Sequence, residues 1–304
     1  MDLLREKYGQ DSVVAGTYGP PSQASMASGP AEHLDVTVAG EVAKVVEKYR
    51  VDTIYHLAAV LSAVGERDPQ LAWTTNMHGL KNILDASKDA GVSRVFWPSS
   101  IAVFGPDAPK LMTPQDASLN PTTMYGVTKV SGELLCRYYG LKFGLDVRCV
   151  RYPGLISNKT RPGGGTTDYA VEIFYGAIER GTYSCFVRAD TVLPMMYMPD
   201  ALRAAVELME APPAQVKRHS GYNLAAMSFS ASDLAAEIRK HIPGFACVYN
   251  PDSRQAVADG WPHSISDVEA RRDWGWVPRY ELGSMTEDMI QKLSAKLKGT
   301  PIKG

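Results

Sequence analysis

The sequence predicts an α/β fold built on a doubly wound parallel sheet, and three observations carry that expectation. Apolar runs alternate with amphipathic stretches in β-α-β-α order through the first half of the chain, the order that yields a parallel sheet with helices on both faces. The strand-like runs are uniformly apolar at their centres, as strands covered on both sides are. With 304 residues, 45% of them hydrophobic, the chain is long enough to bury a large core.

The elements follow in order. A charged helix-like opening, MDLLREKYGQ, leads to an apolar run at residues 11–16 (DSVVAG), read as a strand, and EHLDV ending at Val36 is a second short strand-like run. Val42, Val45, Val46 and Tyr49 fall at i, i+3, i+4 and i+7, the stripe of an amphipathic helix. Residues 52–58, 94–99 and 145–151 read as further strands. Helices are expected over 69–90, opening at Pro69, a favourable first-turn residue, and over 121–139. After about residue 158 the texture changes to loops rich in glycine, proline and methionine. Shorter helices are expected near 167–180, 199–210, 231–241 and 284–297, and Ser230 with Asp233 three positions on signals a capping box. The expected organisation is a sheet domain over 1–158 and a smaller substrate-binding lobe over 159–304, interleaved with the last sheet strands.

Composition excludes several classes. There are 32 basic and 33 acidic residues with no long run of either sign, so neither nucleic acid nor a membrane surface is an expected partner. A small neutral or zwitterionic ligand fits better. Cys136, Cys149, Cys185 and Cys247 are far apart, form no C-x-x-C and mostly lie in apolar stretches, as reduced core cysteines do, which points to the cytoplasm. No apolar run approaches the roughly 20 residues of a membrane span, and the charged start is unlike a signal peptide. The six histidines show no ligand spacing, so no metal is expected.

Chemistry enters with a tyrosine four residues before a lysine, which puts both side chains on one helix face, where an ammonium can lower the phenol pKa from its usual value of about 10. Two such pairs occur, Tyr125 with Lys129 in YGVTK and Tyr138 with Lys142 in YYGLK. Tyr125 falls in the first turn of its helix, towards the strand ends, whereas Tyr138 precedes Gly140, read as a helix stop. Tyr125 is therefore the candidate base and Tyr138 a core or surface residue. The strand at 94–99 ends in Ser99 and Ser100, at the carboxyl edge where doubly wound sheets bind ligands. A serine hydroxyl there either holds a substrate oxygen or belongs to an ordinary turn. RPGGGTTDY leads a loop into a helix amino terminus, which either receives a carboxylate or serves as a lid without direct contact.

These residues together resemble a family. YHLAA (55–59), NMHG (76–79), PSSIAVFG (98–105), YGVTK (125–129) and RYPG (151–154) are similar, in order and spacing, to the signatures of the extended short-chain dehydrogenases/reductases, the NAD-dependent epimerase/dehydratase type, with a Rossmann-like fold. LSAVGE, PGGGTTDYAV, LPMMYMPDA, YNLAAMSFS and the stretch from GWPHSISD to RRDWGW resemble its L-threonine 3-dehydrogenase branch. The resemblance implies NAD as cofactor, Tyr125 as base, Lys129 on the nicotinamide ribose and Ser100 orienting the reacting hydroxyl. It implies Asp35 and Val36 at the adenine and Leu57, Ala58 and Ala59 beside the ribose and pyrophosphate. Asn76, Ser99, Tyr152 and Leu155 complete the cofactor contacts, Leu155 close to the nicotinamide. Ser62, Ser100, Gly165, Thr166, Thr167 and Trp261 are the implied substrate residues, although Trp261 on its own reads as core packing. The implied reaction oxidises the L-threonine 3-hydroxyl to 2-amino-3-oxobutanoate, in a homodimer paired through the helices at 69–90 and 121–139.

Members of that family open with a strand and a G-x-x-G-x-x-G loop that cradles the pyrophosphate. The sequence begins after both, so the sheet is expected to be incomplete at its N-terminal end, with the strands flanking the central position left with unpaired backbone groups. Gly16, Thr17 and Tyr18 stand where an acidic residue is expected at the adenine ribose. Losing two or three charge-assisted hydrogen bonds weakens NAD by about a hundredfold to more than ten-thousandfold. A start site placed late in a normal gene is the expected origin. Two alternatives stand beside threonine oxidation: a sugar-nucleotide epimerase or reductase of the same fold, and a non-catalytic relative acting as a dimerisation or binding module. LPMMYMP offers no arginine to grip a diphosphate, which disfavours the first.

Overall fold

The computed structural model describes residues 1–218 and 220–298. The first half contains α1 (Asp2–Tyr8), β1 (Ala15–Thr17), α2 (Gln23–Ala27), β2 (Ala31–His33), α3 (Ala39–Tyr49), β3 (Thr53–Tyr55), α4 (Ser62–Arg67), α5 (Pro69–Trp73), α6 (Gly79–Ala90), β4 (Arg94–Ser100), α7 (Met124–Phe143) and β5 (Asp146–Tyr152). The second half contains β6 (Gly154–Ile156), α8 (Tyr169–Arg180), β7 (Thr182–Cys185), β8 (Val192–Tyr197), α9 (Met198–Glu210), β9 (Tyr222–Asn223), β10 (Met227–Ser230), α10 (Ala231–His241), β11 (Ala246–Tyr249), α11 (Arg254–Gly260), α12 (Val268–Trp274) and α13 (Leu282–Lys298).

The main sheet is parallel, in the order β3-β4-β5-β9. Alternate residues of its central strands enter different cores. Val95, Trp97, Val147 and Cys149 pack with Val42, Leu80 and Leu84 of α3 and α6, while Phe96 and Val150 pack with Ala204 and Leu208 of α9 and with Trp276. Both faces are thus covered, which explains the mainly apolar runs. Arg148 interrupts β5 yet is fully buried. Its guanidinium donates to the carbonyls of Leu208, Met209 and Ala211 and pairs with Asp146, so it satisfies the C-terminal carbonyls of α9. A third cluster, including Phe174, Tyr197, Leu234 and Met285, forms the core of the second half. There β6 pairs in parallel with β8, and β8 pairs antiparallel with β10.

β1 and β2 form a separate parallel pair that makes no ladder with β3. The expected strand at 11–16 starts only at Ala15, because Gly9, at φ 95°, and the polar run Gln10–Ser12 make a 3-10 turn first. The helix expected at 69–90 is present with a π-turn at Thr74–His78 between α5 and α6. The reading of Gly140 as a stop is corrected: α7 runs past it to Phe143 and ends at Gly144, in the left-handed conformation at φ 70°. The capping box at Ser230 and Asp233 forms as expected, opening α10. Cys136, Cys149 and Cys185 are buried and Cys247 is partly so, all as free thiols. Among the described residues no helix is long and apolar enough to cross a membrane, and no group of three or more potential ligands could hold a metal ion.

Candidate active site

The carboxyl ends of β3, β4 and β5 define the rim of the main sheet, and the start of α7 is pressed against it. Thr123 caps α7 by accepting from the Gly126 amide at 3.1 Å. A side chain at Gly126 would place a carbon 2.3 Å from the Ala102 carbonyl oxygen, so only glycine lets the first helical turn lie against the end of β4. Farther along, Gly132 lets the helix rest on the Trp97 ring, which a Cβ would meet at 2.3 Å. These two contacts set Tyr125 beside Ser100, whose hydroxyl favours the ionised phenol. Ser100 in turn accepts from the Ala102 amide at 3.2 Å.

Lys129 is buried beneath this pair, its ammonium donating to the Pro98 carbonyl at 2.6 Å and lying 4.5 Å from the centre of the Trp97 ring and 5.4 Å from that of Tyr125. Burial pushes the Tyr125 phenol up to about 12, offset in part by the neighbouring Ser100 hydroxyl. Burial likewise pulls Lys129 down to about 8. The expectation that the ammonium holds the phenol below its usual value is therefore corrected for this structure: desolvation of both groups dominates, and the lysine directs its hydrogen bond to Pro98.

Ser99 is turned elsewhere. Its hydroxyl donates at 2.6 Å to Glu133, which also takes both arms of Arg151 at 2.8 Å, all of them buried. Arg151 further donates to the Gln115 carbonyl and to Asn223. Sequence reasoning missed this network, although Glu133 stands one turn beyond Lys129 on the same helix. A cavity of about 850 Å³ adjoins it, lined partly by Gln115, Arg137, Arg218 and Glu269; Ser100, Tyr125 and Lys129 do not line it.

Asn76, brought inward by the π-turn, clamps the loop after β3. It accepts from the Val60 amide at 2.7 Å and donates to the Val60 carbonyl and to Thr128, each at 3.1 Å. Its side chain is thereby committed to holding the loop. Leu57 and Ala58 remain exposed and Ala59 partly so, an apolar strip at the strand end. Behind them His56 is buried, with no partner at Nε2, and burial pulls it down to about 3. Asp35 accepts from the amide and hydroxyl of Thr37, and the Val36 carbonyl accepts from Asn82. The Tyr152 hydroxyl is used on the Ala201 carbonyl at 2.6 Å, and Leu155 packs partly buried nearby.

The loop before α8 closes over the rim. Gly154 admits it, since a Cβ there would meet Thr167 at 2.8 Å and Met195 at 2.4 Å. Thr166 and Ser62, both buried, share a hydrogen bond of 3.3 Å that ties the loop to α4. The amides of Gly164 and Gly165 donate to the Asp168 carboxylate at 2.8 and 2.6 Å. The loop's amides thus already hold an internal carboxylate. Trp261 is buried in the core of the second half.

The arrangement suits a dinucleotide. The exposed apolar strip at Leu57 and Ala58 can take a sugar or ring face. Lys129 is a buried ammonium whose three donors have one hydrogen-bond partner among the described residues, leaving donors for a ligand hydroxyl. The model of the NAD dependent epimerase/dehydratase family matches residues 3–225. This chain belongs to that family. NAD is the family's cofactor, and the parallel sheet with its helices is the family's Rossmann-like fold. An uncharacterized epimerase/dehydratase of Staphylococcus haemolyticus is 49% identical over 294 residues, covering 96% of this chain and 92% of the relative. The holo structure of a GalE-like L-threonine dehydrogenase from Cupriavidus necator superposes with a TM-score of 0.93 at 50% identity, covering 96% of this chain and 94% of that one. A monomeric L-threonine 3-dehydrogenase of metagenomic origin gives 0.93 at 49% identity, with coverages of 97% and 94%.

Proposed function

We propose that this chain is an NAD-dependent L-threonine 3-dehydrogenase, converting L-threonine and NAD to 2-amino-3-oxobutanoate, NADH and a proton. The observation that carries the reading is the grouping of Tyr125 and Ser100 at the strand ends, with Lys129 buried beside them. Ser100 holds the substrate oxygen, and the Tyr125 oxygen takes the hydroxyl proton. Lys129 places its remaining donors toward the cofactor ribose and its charge beside the phenol. When bound, NAD supplies the acceptor for the hydride leaving the alcohol carbon. Asp35 and Val36 serve the adenine end, Leu57, Ala58 and Ala59 the middle, and Leu155 the nicotinamide end. Asn76, Ser99 and Tyr152 act by holding the walls of the site.

The substrate is small in this reading. Ser62, Thr166 and Thr167 narrow the space over the rim, and Gly165 lies in the loop that covers it. Met195, Met196 and Tyr197, in the run where a sugar nucleotide would need a cation, are fully buried, and the Tyr197 hydroxyl is taken by Asp288 and Asn158. The carboxylate of threonine competes with Asp168 for the Gly164 and Gly165 amides. Pairing of two copies is supported by Val127, Leu134, Tyr138 and Leu141, which lie exposed on one face of α7. The free, largely buried thiols support a reducing, cytoplasmic setting.

The test is NADH formation by the purified chain with L-threonine and, separately, conversion of UDP-glucose followed by product analysis, since epimerisation returns the hydride and leaves no net NADH. Production with threonine alone supports the reading, and activity on UDP-glucose alone overturns it. The alternative of a non-catalytic binding module is favoured by one observation, the break between β1 and β3. Failure of the chain to bind millimolar NAD in a titration would select it.

A further inference from the structure

We propose that the cavity beside the Glu133–Arg151 pair is a second ligand site, separate from the rim, for one monocarboxylate with an apolar tail. The cavity, of about 850 Å³, is walled by α7, the segment 115–119 and α12. Its cationic lining is Arg137, Arg151, Lys217, Arg218 and Arg272, and its acidic lining is Asp116, Glu133 and Glu269. Arg151 is matched by Glu133, and Arg218 holds Asp116 at 2.9 Å together with Glu269. Arg272 and Lys217 share one further carboxylate, Asp273, at 2.7 and 3.8 Å. Arg137 is exposed and makes no hydrogen bond or ion pair among the described residues. With Asp273 included, the cavity carries a single positive charge in excess, which one carboxylate neutralises.

The buried lining offers a donor as well. Arg151 spends four of its five N–H groups on Glu133, the Gln115 carbonyl and Asn223, and the second N–H of Nη2 has no partner among the described residues. The tail is read from α7. Val130, Leu134, Arg137 and Leu141 fall at i, i+4, i+7 and i+11, one face of the helix, and all four line the cavity. Leu134 and Leu141 are exposed, and Arg137 stands between them. A carboxylate at Arg137 therefore lays its hydrocarbon chain along leucines that water otherwise covers. Phosphate brings more charge than the excess and no use for the leucines, and an alkylammonium is repelled. Leu134 and Leu141 also belong to the face proposed for pairing, but a second copy set there by two-fold symmetry presents the same patch with the same excess charge, so it does not replace the anion.

The experiment is equilibrium dialysis of the purified full chain against labelled octanoate, acetate and octylammonium, with hydrogen exchange followed by mass spectrometry. The readout is binding, so it stands whether or not the chain oxidises threonine. The expected result is one octanoate per chain, slower exchange in 115–119 and in α12, and binding of acetate and of octylammonium weaker by about tenfold or more. Arg137→Glu alters an exposed side chain without a partner in the fold, so this variant should melt as the parent does and bind octanoate about tenfold or more weakly. Acetate or octylammonium binding as tightly as octanoate would overturn the proposal, as would undiminished binding by Arg137→Glu. Displacement of octanoate by L-threonine would place the probe at the rim, and its release as the chain concentration is raised would give the cavity to a second copy; either result overturns the proposal too.

Discussion

Replacing Glu133 with glutamine isolates the buried ion pair that supports the rim. The wild-type carboxylate accepts three hydrogen bonds, from Ser99 and from two nitrogens of Arg151, and the guanidinium and carboxylate are 4% and 2% exposed. Glutamine keeps the shape but loses the charge, and its NH₂ group must face either the serine or the guanidinium fork, which are donors in this arrangement. Arg151 keeps one oxygen of residue 133, the Gln115 carbonyl and Asn223 as acceptors but loses the opposite charge. Removing one partner of a buried pair costs about 3–5 kcal/mol, most of it the uncompensated charge left behind. For a chain of this size, at about 2–4 °C per kcal/mol, the melting temperature should fall by roughly 6–20 °C.

The assay is thermal and urea unfolding of Glu133→Gln, Arg151→Met and the double variant. Removing both charges should recover at least half of the single-variant loss, because the unpaired ion is then absent. A Glu133→Gln variant within about 1 kcal/mol of the parent would refute the reasoning, since surface ion pairs contribute that little and buried ones do not.

Three further outcomes are expected. Tyr125→Phe should lower the rate of threonine oxidation by about 10²–10⁴, the range for loss of a positioned base, with little change in cofactor affinity by titration. Asn76→Ala removes the clamp on Val60 and should cost about 1–3 kcal/mol in urea unfolding while raising the KM for NAD more than it lowers kcat. His56 is held neutral by burial, with its pKa near 3 against an ordinary 6.5. The unfolded chain therefore binds a proton that the folded chain does not, and stability falls as pH drops below 6.5, by about 2 kcal/mol down to pH 5. His56→Asn should flatten that part of the stability–pH curve, and a curve of unchanged slope would count against a buried neutral imidazole.

The fold was legible where one physical signal dominates. The strands expected at 94–99 and 145–151 announced themselves by mainly apolar centres, because they are covered on both faces, and the Ser230 cap by its spacing to Asp233. The end of α7 was not legible, since a glycine inside a helix costs only about 1 kcal/mol and packing of the helix carries it past Gly140. Tyr125 and Lys129 could be found from helical spacing, whereas their protonation could not: that depends on burial by residues distant in sequence. Asp168 as the holder of the Gly164 and Gly165 amides was hidden for the same kind of reason. Glycine-rich loop and helix start were visible, but not which carboxylate the amides would take.

The protonation of the Tyr125–Lys129 pair sets a condition on any chemistry at this rim. With the phenol near 12, making a phenolate at pH 7 costs close to 7 kcal/mol. That position already includes the buried ammonium 5.4 Å from the centre of the ring. Lysine alone therefore leaves the phenol protonated at pH 7, and about 5 units must come from positive charge or hydrogen-bond donors that arrive with the ligands. The proton-accepting state is consequently a property of the loaded site. In a form of the protein that oxidises threonine, the pH dependence of kcat should show a limb below 8 that Tyr125→Phe removes. A limb that stays above 10 with both ligands saturating would rule out Tyr125 as the base.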